Sequence, residues 1–228
     1  MPERRNIAIV LSRFPYPLDK GDKLRAFHQL TYLSRTTDVH LFALCERQPS
    51  AEALEALQPY CHSIHLYPIS RFTSLWGSLR GVLKKQPLQV GYFYSSALSE
   101  KLRKDIMEIR PDVVFGQLTR TALYLKDLPF RKIMDYQDAF SINYKRMAAQ
   151  TSGWRKWVYR FESTRMANFE QNMLKWFDEV LIISEFDRQQ IETAERTLHV
   201  IPNGVDASYF TPMQVPAKWD VFFSGNMG

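Results

Sequence analysis

Apolar residues fall along this chain in short runs separated by amphipathic stretches. Asn6–Ser12 is apolar almost throughout and predicts a buried strand. The loop Arg13–Lys20, with Pro15 and Pro17, leads into Gly21–Ser34. That segment predicts a helix with Leu24, Phe27, Leu30 and Leu33 on one broad face. Val39–Leu44 predicts a second strand. Ala51–Leu57 reads as a short helix opened by Ser50, a residue type suited to an N-cap. Ser63–Pro68 predicts a third strand. Further on come a helix over Ser96–Ile109, strands at Asp112–Phe115 and Arg131–Met134, and a long helix within Ser152–Phe177. A strand at Glu179–Ile183, a helix at Glu185–Ala194 and a short strand at Leu198–Ile201 follow. Strands alternating with helices predict an α/β fold, a Rossmann-like doubly wound parallel sheet. Such a sheet places its ligands at the carboxyl ends of the strands.

The pattern changes at Pro202. Residues 202–218 are rich in Pro, Gly and Asn and read as an interdomain linker. Trp219–Ser224 (WDVFFS) then reads as one new buried strand. The expected organisation is a domain over 1–201, a linker over 202–218 and, in 219–228, the first strand of a second domain. The other reading adds that strand to the edge of the first sheet.

Composition narrows the classes. With 45% hydrophobic residues, 9 Gly and 12 Pro in 228, the chain is neither disordered nor collagen-like. Cys45 and Cys61 make no disulfide framework, and no CxxC or HxxxH spacing offers a metal site. A reduced compartment, the cytoplasm, is expected. The run Ile7–Leu11 is too short for a signal or a membrane span. A net charge of +6 favours anionic partners.

The loop after the first strand lacks GxGxxG, so a nicotinamide cofactor is not expected there. It retains Gly21 and Asp22 at a helix N-terminus, with Arg25 one turn in. The N–H groups and the guanidinium suit a diphosphate; the plainer reading is a helix start that needs glycine for its backbone. Asp135 and Asp138 leave the carboxyl end of the fifth strand together. One can orient or deprotonate a hydroxyl, and their proximity can raise one pKa. Against this, Asp138 can simply cap the next helix. Gln117 and Thr119 follow the fourth strand and suit a sugar, or a turn.

No Asp or Glu occurs between Glu55 and Glu100. Inside that window Phe72, Leu75, Trp76, Leu79 and Leu83 form a helical stripe, with Arg71, Arg80, Lys84 and Lys85 off it. The stripe suits an anionic membrane surface, through Phe72, Trp76, Arg80, Lys84 and Lys85. It equally suits a core-packed helix with a solvated basic face. The segment Trp154–Phe177 interleaves Arg155, Lys156, Arg160, Arg165 and Lys175 with aromatics. Glu162 and Glu170 interrupt that charge, and Trp, Phe and Met at this spacing usually form core, so nucleic acid is not expected.

Three segments carry a resemblance. They are Val180–Glu185 (VLIISE), the stretch His199–Asp206 (HVIPNGVD) with Phe210 and Pro212, and Val221–Gly225 (VFFSG). Together they resemble glycosyltransferase family 4, and the opening FPYPLDKGDKLRAFHQLTYLS is similar to that family's acceptor-domain loop and first helix. The likeness spans essentially the whole chain and is nearest to bacterial exopolysaccharide transferases associated with PEP-CTERM clusters. It implies half of a GT-B fold, with the acceptor on this side and most of a nucleotide sugar held by a second domain. It further implies a retaining, metal-independent transfer to a saccharide or lipid-linked acceptor, with no cofactor beyond the nucleotide sugar. Separately from the resemblance, the cysteine usage and the 71–85 stripe lead to an expected place in the cytoplasm, with peripheral contact on the inner face of the membrane as one reading of that stripe. By position, Gly21 corresponds to the glycine loop near the diphosphate, and Asp135 and Asp138 to catalytic or acceptor-binding positions. Asn203 and Gly204 correspond to the crossover between domains. The sequence departs from the family by a single glycine in the first loop and by having no His after the fifth strand. The basic pair and paired glutamates of the donor domain do not occur before Gly228. Residues 1–228 are therefore expected to be inactive alone. The other reading is a free-standing Rossmann-like module that binds an acceptor or a partner.

Overall fold

The computed structural model describes residues 4–70, 77, 81, 86–194, 196–205 and 207. In chain order the elements are β1 (Arg5–Leu11), α1 (Gly21–Leu33), β2 (Thr37–Cys45), α2 (Ala51–Leu57) and β3 (Ser63–Pro68). Then come α3 (Leu88–Phe93), α4 (Ser96–Ile109), β4 (Val113–Gln117), α5 (Ala122–Leu125) and β5 (Arg131–Asp135). The last are α6 (Phe140–Gln150), α7 (Gly153–Met173), β6 (Glu179–Ile182), α8 (Glu185–Ile191) and β7 (His199–Val200). The seven strands form one sheet in the order β3-β2-β1-β4-β5-β6-β7, with every pair parallel.

The apolar runs form strands because both faces of the sheet are covered. Ile7, Ile9 and Leu11 join Val39, Leu41 and Ala43 on one face, where α1 and α2 add Ala26, Leu30, Ala53 and Leu57. Ala8, Val10, Phe42, Leu44 and Tyr67 point to the other, under Val90, Leu102, Ile106, Met166, Phe169 and Met173. Strand order reverses between β1 and β4, which makes the carboxyl ends of these two strands the switch-point crevice of an open α/β sheet.

The sequence reading holds for the alternation of strands and helices and for the Ser50 cap, whose hydroxyl accepts from the Ala53 N–H at 3.2 Å. It misses α3 and α5, six and four residues long, which are too short to show a helical period. The long helix is preceded by a separate α6, and Gly153 at φ +65° forms the turn between them. That left-handed conformation strains any residue with a Cβ.

The expected core role of the long helix is half right. Met166, Phe169 and Met173 are buried, but Trp154, Trp157 and Phe161 are 71%, 70% and 60% exposed. Burial on α7 begins at Glu162. The two glutamates expected to interrupt the basic surface, Glu162 and Glu170, are themselves inside, at 3% and 1% exposure. The membrane-contact residues Phe72, Trp76, Arg80, Lys84 and Lys85 lie outside the described residues, as does the strand expected in 219–228. Among the described residues no helix is long and apolar enough to cross a membrane.

Candidate functional site

The crevice is built from Arg25 outward. Arg25 sits on the second turn of α1 and is 8% exposed. Its Nε donates to Asp135 Oδ2 at 2.7 Å, and its Nη1 to Asn203 Oδ1 at 2.9 Å. Gln29, one turn further along the same face, donates its Nε2 to the same Asp135 oxygen at 2.7 Å. The Gln137 backbone N–H donates to Asp135 Oδ1 at 3.3 Å. Asp135 is fully buried and accepts from three donors. These contacts make it the ion-pair partner of Arg25.

Arg25 Nη2 is buried with no hydrogen-bond partner, and so are Ser12 Oγ, Gln29 Oε1, Thr119 Oγ1 and Gln137 Nε2. These five, out of seven such atoms among the described residues, gather at the carboxyl edge of the sheet or on the first turns of α1. A buried polar atom left unpaired costs about 1–3 kcal/mol, so such a cluster calls for bridging water or a ligand. The backbone carries a matching signature. Leu118 (φ 66°) and Gln137 (φ 65°) end neighbouring strands in conformations sparsely populated by residues with a Cβ. Outliers of this kind gather at functional sites.

The sequence-predicted residues divide on inspection. Gly21 does not have a left-handed φ, and a Cβ placed there meets nothing within 4 Å. The chain itself therefore has no conformational or packing need for glycine, contrary to the backbone reading. The open space fits close approach of a ligand to the N-terminus of α1, whose N-cap, Lys20, supplies no side-chain cap. Asp22 is tied to Arg13 at 3.2 Å. Gln117 is buried and donates to the Asp22 carbonyl at 3.3 Å, so it braces the first turn of α1. The turn after β4 is bonded by the Thr121 hydroxyl, not by Thr119. Asn203 reaches the site from beyond β7 and steadies Arg25.

Asp138 differs from Asp135. It is exposed, and its carboxyl makes no hydrogen bond with the described residues. The N-cap of α6 is Ala139, with no side-chain cap. That helix end is capped from α7 instead, by Glu170 Oε1 accepting from the Ser141 N–H at 3.2 Å. The capping role considered for Asp138 is therefore filled by another residue. Its pKa is raised, first by withdrawal from water and then by the charges of Asp187 and Asp135, with Arg25 opposing. A carboxylate with a free acceptor face and a raised pKa is suited to take a proton.

A cleft of about 620 Å³ opens past the ends of β1 and β2, and Ser12 is the unpaired residue that lines it. Arg13, Lys20, Lys23, Glu46, Arg47 and Phe93 help to line it. Arg120 stacks over Phe93 at 4.7 Å, and burial followed by the charge of Arg13 lowers its pKa to about 10. Gln29, Gln137 and Arg120 were not picked out from the sequence. Gln29 was accessible as the i+4 neighbour of Arg25, and Gln137 lies between the two aspartates. Arg120 has no local signal.

No protein-family model matches the sequence, and no curated protein does. Solved structures match by fold. Sucrose-phosphate synthase from Thermosynechococcus elongatus aligns at TM-score 0.59 and 14% identity, over 92% of this chain and 51% of its own. Phytolacca americana UGT2, complexed with UDP-2fluoro-glucose and pterostilbene, aligns at TM-score 0.50 and 12% identity, over 90% of this chain and 55% of its own. The chain thus spans about half the length of the structures it matches. At this identity the likeness is one of fold: the chain has the Rossmann-like α/β architecture of one half of a GT-B fold.

Proposed function

We propose that the chain is the acceptor-side domain of a glycosyltransferase. The whole enzyme, completed by a second domain, transfers a sugar from a nucleotide sugar to a saccharide or lipid-linked acceptor in exopolysaccharide or cell-envelope glycan synthesis. The reading takes the transfer as retaining and metal-independent, on the family resemblance. A second domain supplies most of the donor contacts, and residues 1–228 alone are inactive. The basic segment 71–85 touches an anionic membrane at its inner face.

One observation carries this reading: the Arg25 guanidinium, nearly buried on the second turn of α1, is pinned by Asp135 and Asn203 and keeps Nη2 unpaired. That arrangement is preorganised for the negative charge that grows on a leaving diphosphate. In the reaction the bond between the sugar's anomeric carbon and the diphosphate oxygen breaks, and the acceptor oxygen bonds to that carbon. Asp138 takes the acceptor's hydroxyl proton, and Thr119 contacts a sugar hydroxyl. Asp135 and Asn203 position Arg25, and Gln117 positions Gly21 and Asp22.

The test begins with the intact mass of the native gene product, expected at about 40–50 kDa if a second domain of ordinary size is attached. That product is then assayed with nucleotide sugars and glycan acceptors from its own cells. Asp138→Asn is expected to lower kcat by about 10²–10⁴ while the fold is unchanged. A product near 27 kDa with no transfer from any nucleotide sugar would leave a binding module and remove the enzymatic reading.

A further inference from the structure

We propose that the α6–α7 hairpin is a docking surface for an anionic lipid bilayer. From Ala139 to Phe161 the chain has no Asp or Glu and carries Lys145, Arg146, Arg155, Lys156 and Arg160. The next acid, Glu162, is turned inward. It pairs with Arg165 at 2.9 Å and accepts from the Leu88 N–H at 2.7 Å. The exposed side of the hairpin is therefore purely cationic.

The same end is apolar to a degree that water does not favour. Trp154, Trp157 and Phe161 stand 60–71% exposed, flanked by Val158 at 39% and Met147 at 40%. Arginines lie over two of the rings, Arg155 at 5.7 Å from the Trp154 centroid and Arg160 at 5.5 Å from that of Trp157. On an adjacent face of α7, a cleft of about 560 Å³ lies between α6, α7 and α8. Lys145, Lys156, Arg160, Thr164, Asn168 and Gln190 help to line it, and no carboxylate does. Among the described residues no carboxylate forms an ion pair with these three cations.

A bilayer satisfies each of these features at once. Tryptophan rings settle at the headgroup level, lysines and arginines meet the lipid phosphates, and the cleft accepts a phosphate headgroup. A protein interface would use the same aromatics, Met147 and arginines but is depleted in lysine, and here Lys145 and Lys156 both face the cleft. Single-stranded nucleic acid would use the rings and the cations but not the exposed Val158 and Met147. The surface differs from segment 71–85, and the inference does not rest on the transfer reaction, because vesicle binding is read without any sugar.

The experiment is co-sedimentation of the full chain with phosphatidylcholine vesicles, with and without phosphatidylglycerol. Binding is expected only with phosphatidylglycerol, to weaken in high salt, and to allow brominated lipid to quench the tryptophan fluorescence. Replacing Arg155, Lys156 and Arg160 together by Gln is expected to lower partitioning by about 100-fold. Trp154→Ser, Trp157→Ser and Phe161→Ser combined are expected to weaken vesicle binding and to remove the share of quenching that comes from Trp154 and Trp157, without changing the thermal midpoint. Equal binding to neutral vesicles, or wild-type binding by both variants, would overturn the proposal. So would loss of binding only on Arg80→Gln, Lys84→Gln and Lys85→Gln. Salt-sensitive binding of single-stranded RNA, or a dimer dissolved by the aromatic variant, with no vesicle binding in either case, would assign the surface to those partners instead.

Discussion

The two halves of α7 carry similar side chains and lead opposite lives. The first half has Trp154, Trp157 and Phe161 in water, beside unpaired cations. The second has Met166, Phe169 and Met173 in the core, beside the buried pair Glu162–Arg165 and the cap Glu170. Aromatic and basic residues at helical spacing therefore do not by themselves say core or surface. What decides is how far along the helix the sheet and its neighbours reach, and here cover begins at Glu162.

Substitutions can break that contrast. The largest effect is expected for Glu162→Ala, which leaves Arg165 buried without its partner and should cost about 3–5 kcal/mol of unfolding free energy by urea titration. A loss below about 1 kcal/mol would mean that this half is wetter than the structure shows.

Next comes the pH dependence of Glu170, whose pKa burial raises to about 7. The folded chain then binds more protons than the unfolded chain between about pH 4.5 and 7. The contribution of Glu170 to stability is present at low pH and is lost as pH rises through that window, by on the order of 3 kcal/mol in all. Comparing urea midpoints of wild type and Glu170→Gln across this range isolates the slope, and parallel profiles would contradict the burial. The smallest effect belongs to the exposed half. Trp157→Ser should change stability by no more than about 0.5 kcal/mol, measured in the same titration. A much larger loss would show that the ring is packed after all.

A similar contrast separates Asp135 from Asp138, three residues apart. Sequence reading put both at the end of a strand as one candidate pair. Asp135 turned out to be a fully buried counter-ion, and Asp138 an exposed carboxyl with a raised pKa. The local pattern could show that both lie at the carboxyl edge. It could not show which one meets Arg25, because that contact joins positions 110 residues apart. Asn203 reaches Arg25 across 178 residues, and its role at the site was equally hidden. Gly21 illustrates the reverse: its place at a helix start was legible, but only the open space around it sets aside the backbone explanation.

The sequence by itself determined the class of the fold. Continuous apolar runs must be covered on both faces, and helices alternating with them leave a parallel sheet as the arrangement that does so. It also determined which chain ends gather at the carboxyl edge, since every strand of a parallel sheet points the same way. Tertiary structure alone decided which polar atoms at that edge are spent on one another and which remain unpaired. It also decided that Glu170, not Asp138, caps α6, and that half of α7 faces solvent. These outcomes depend on distances between residues far apart in the chain, and local spacing carries no information about them.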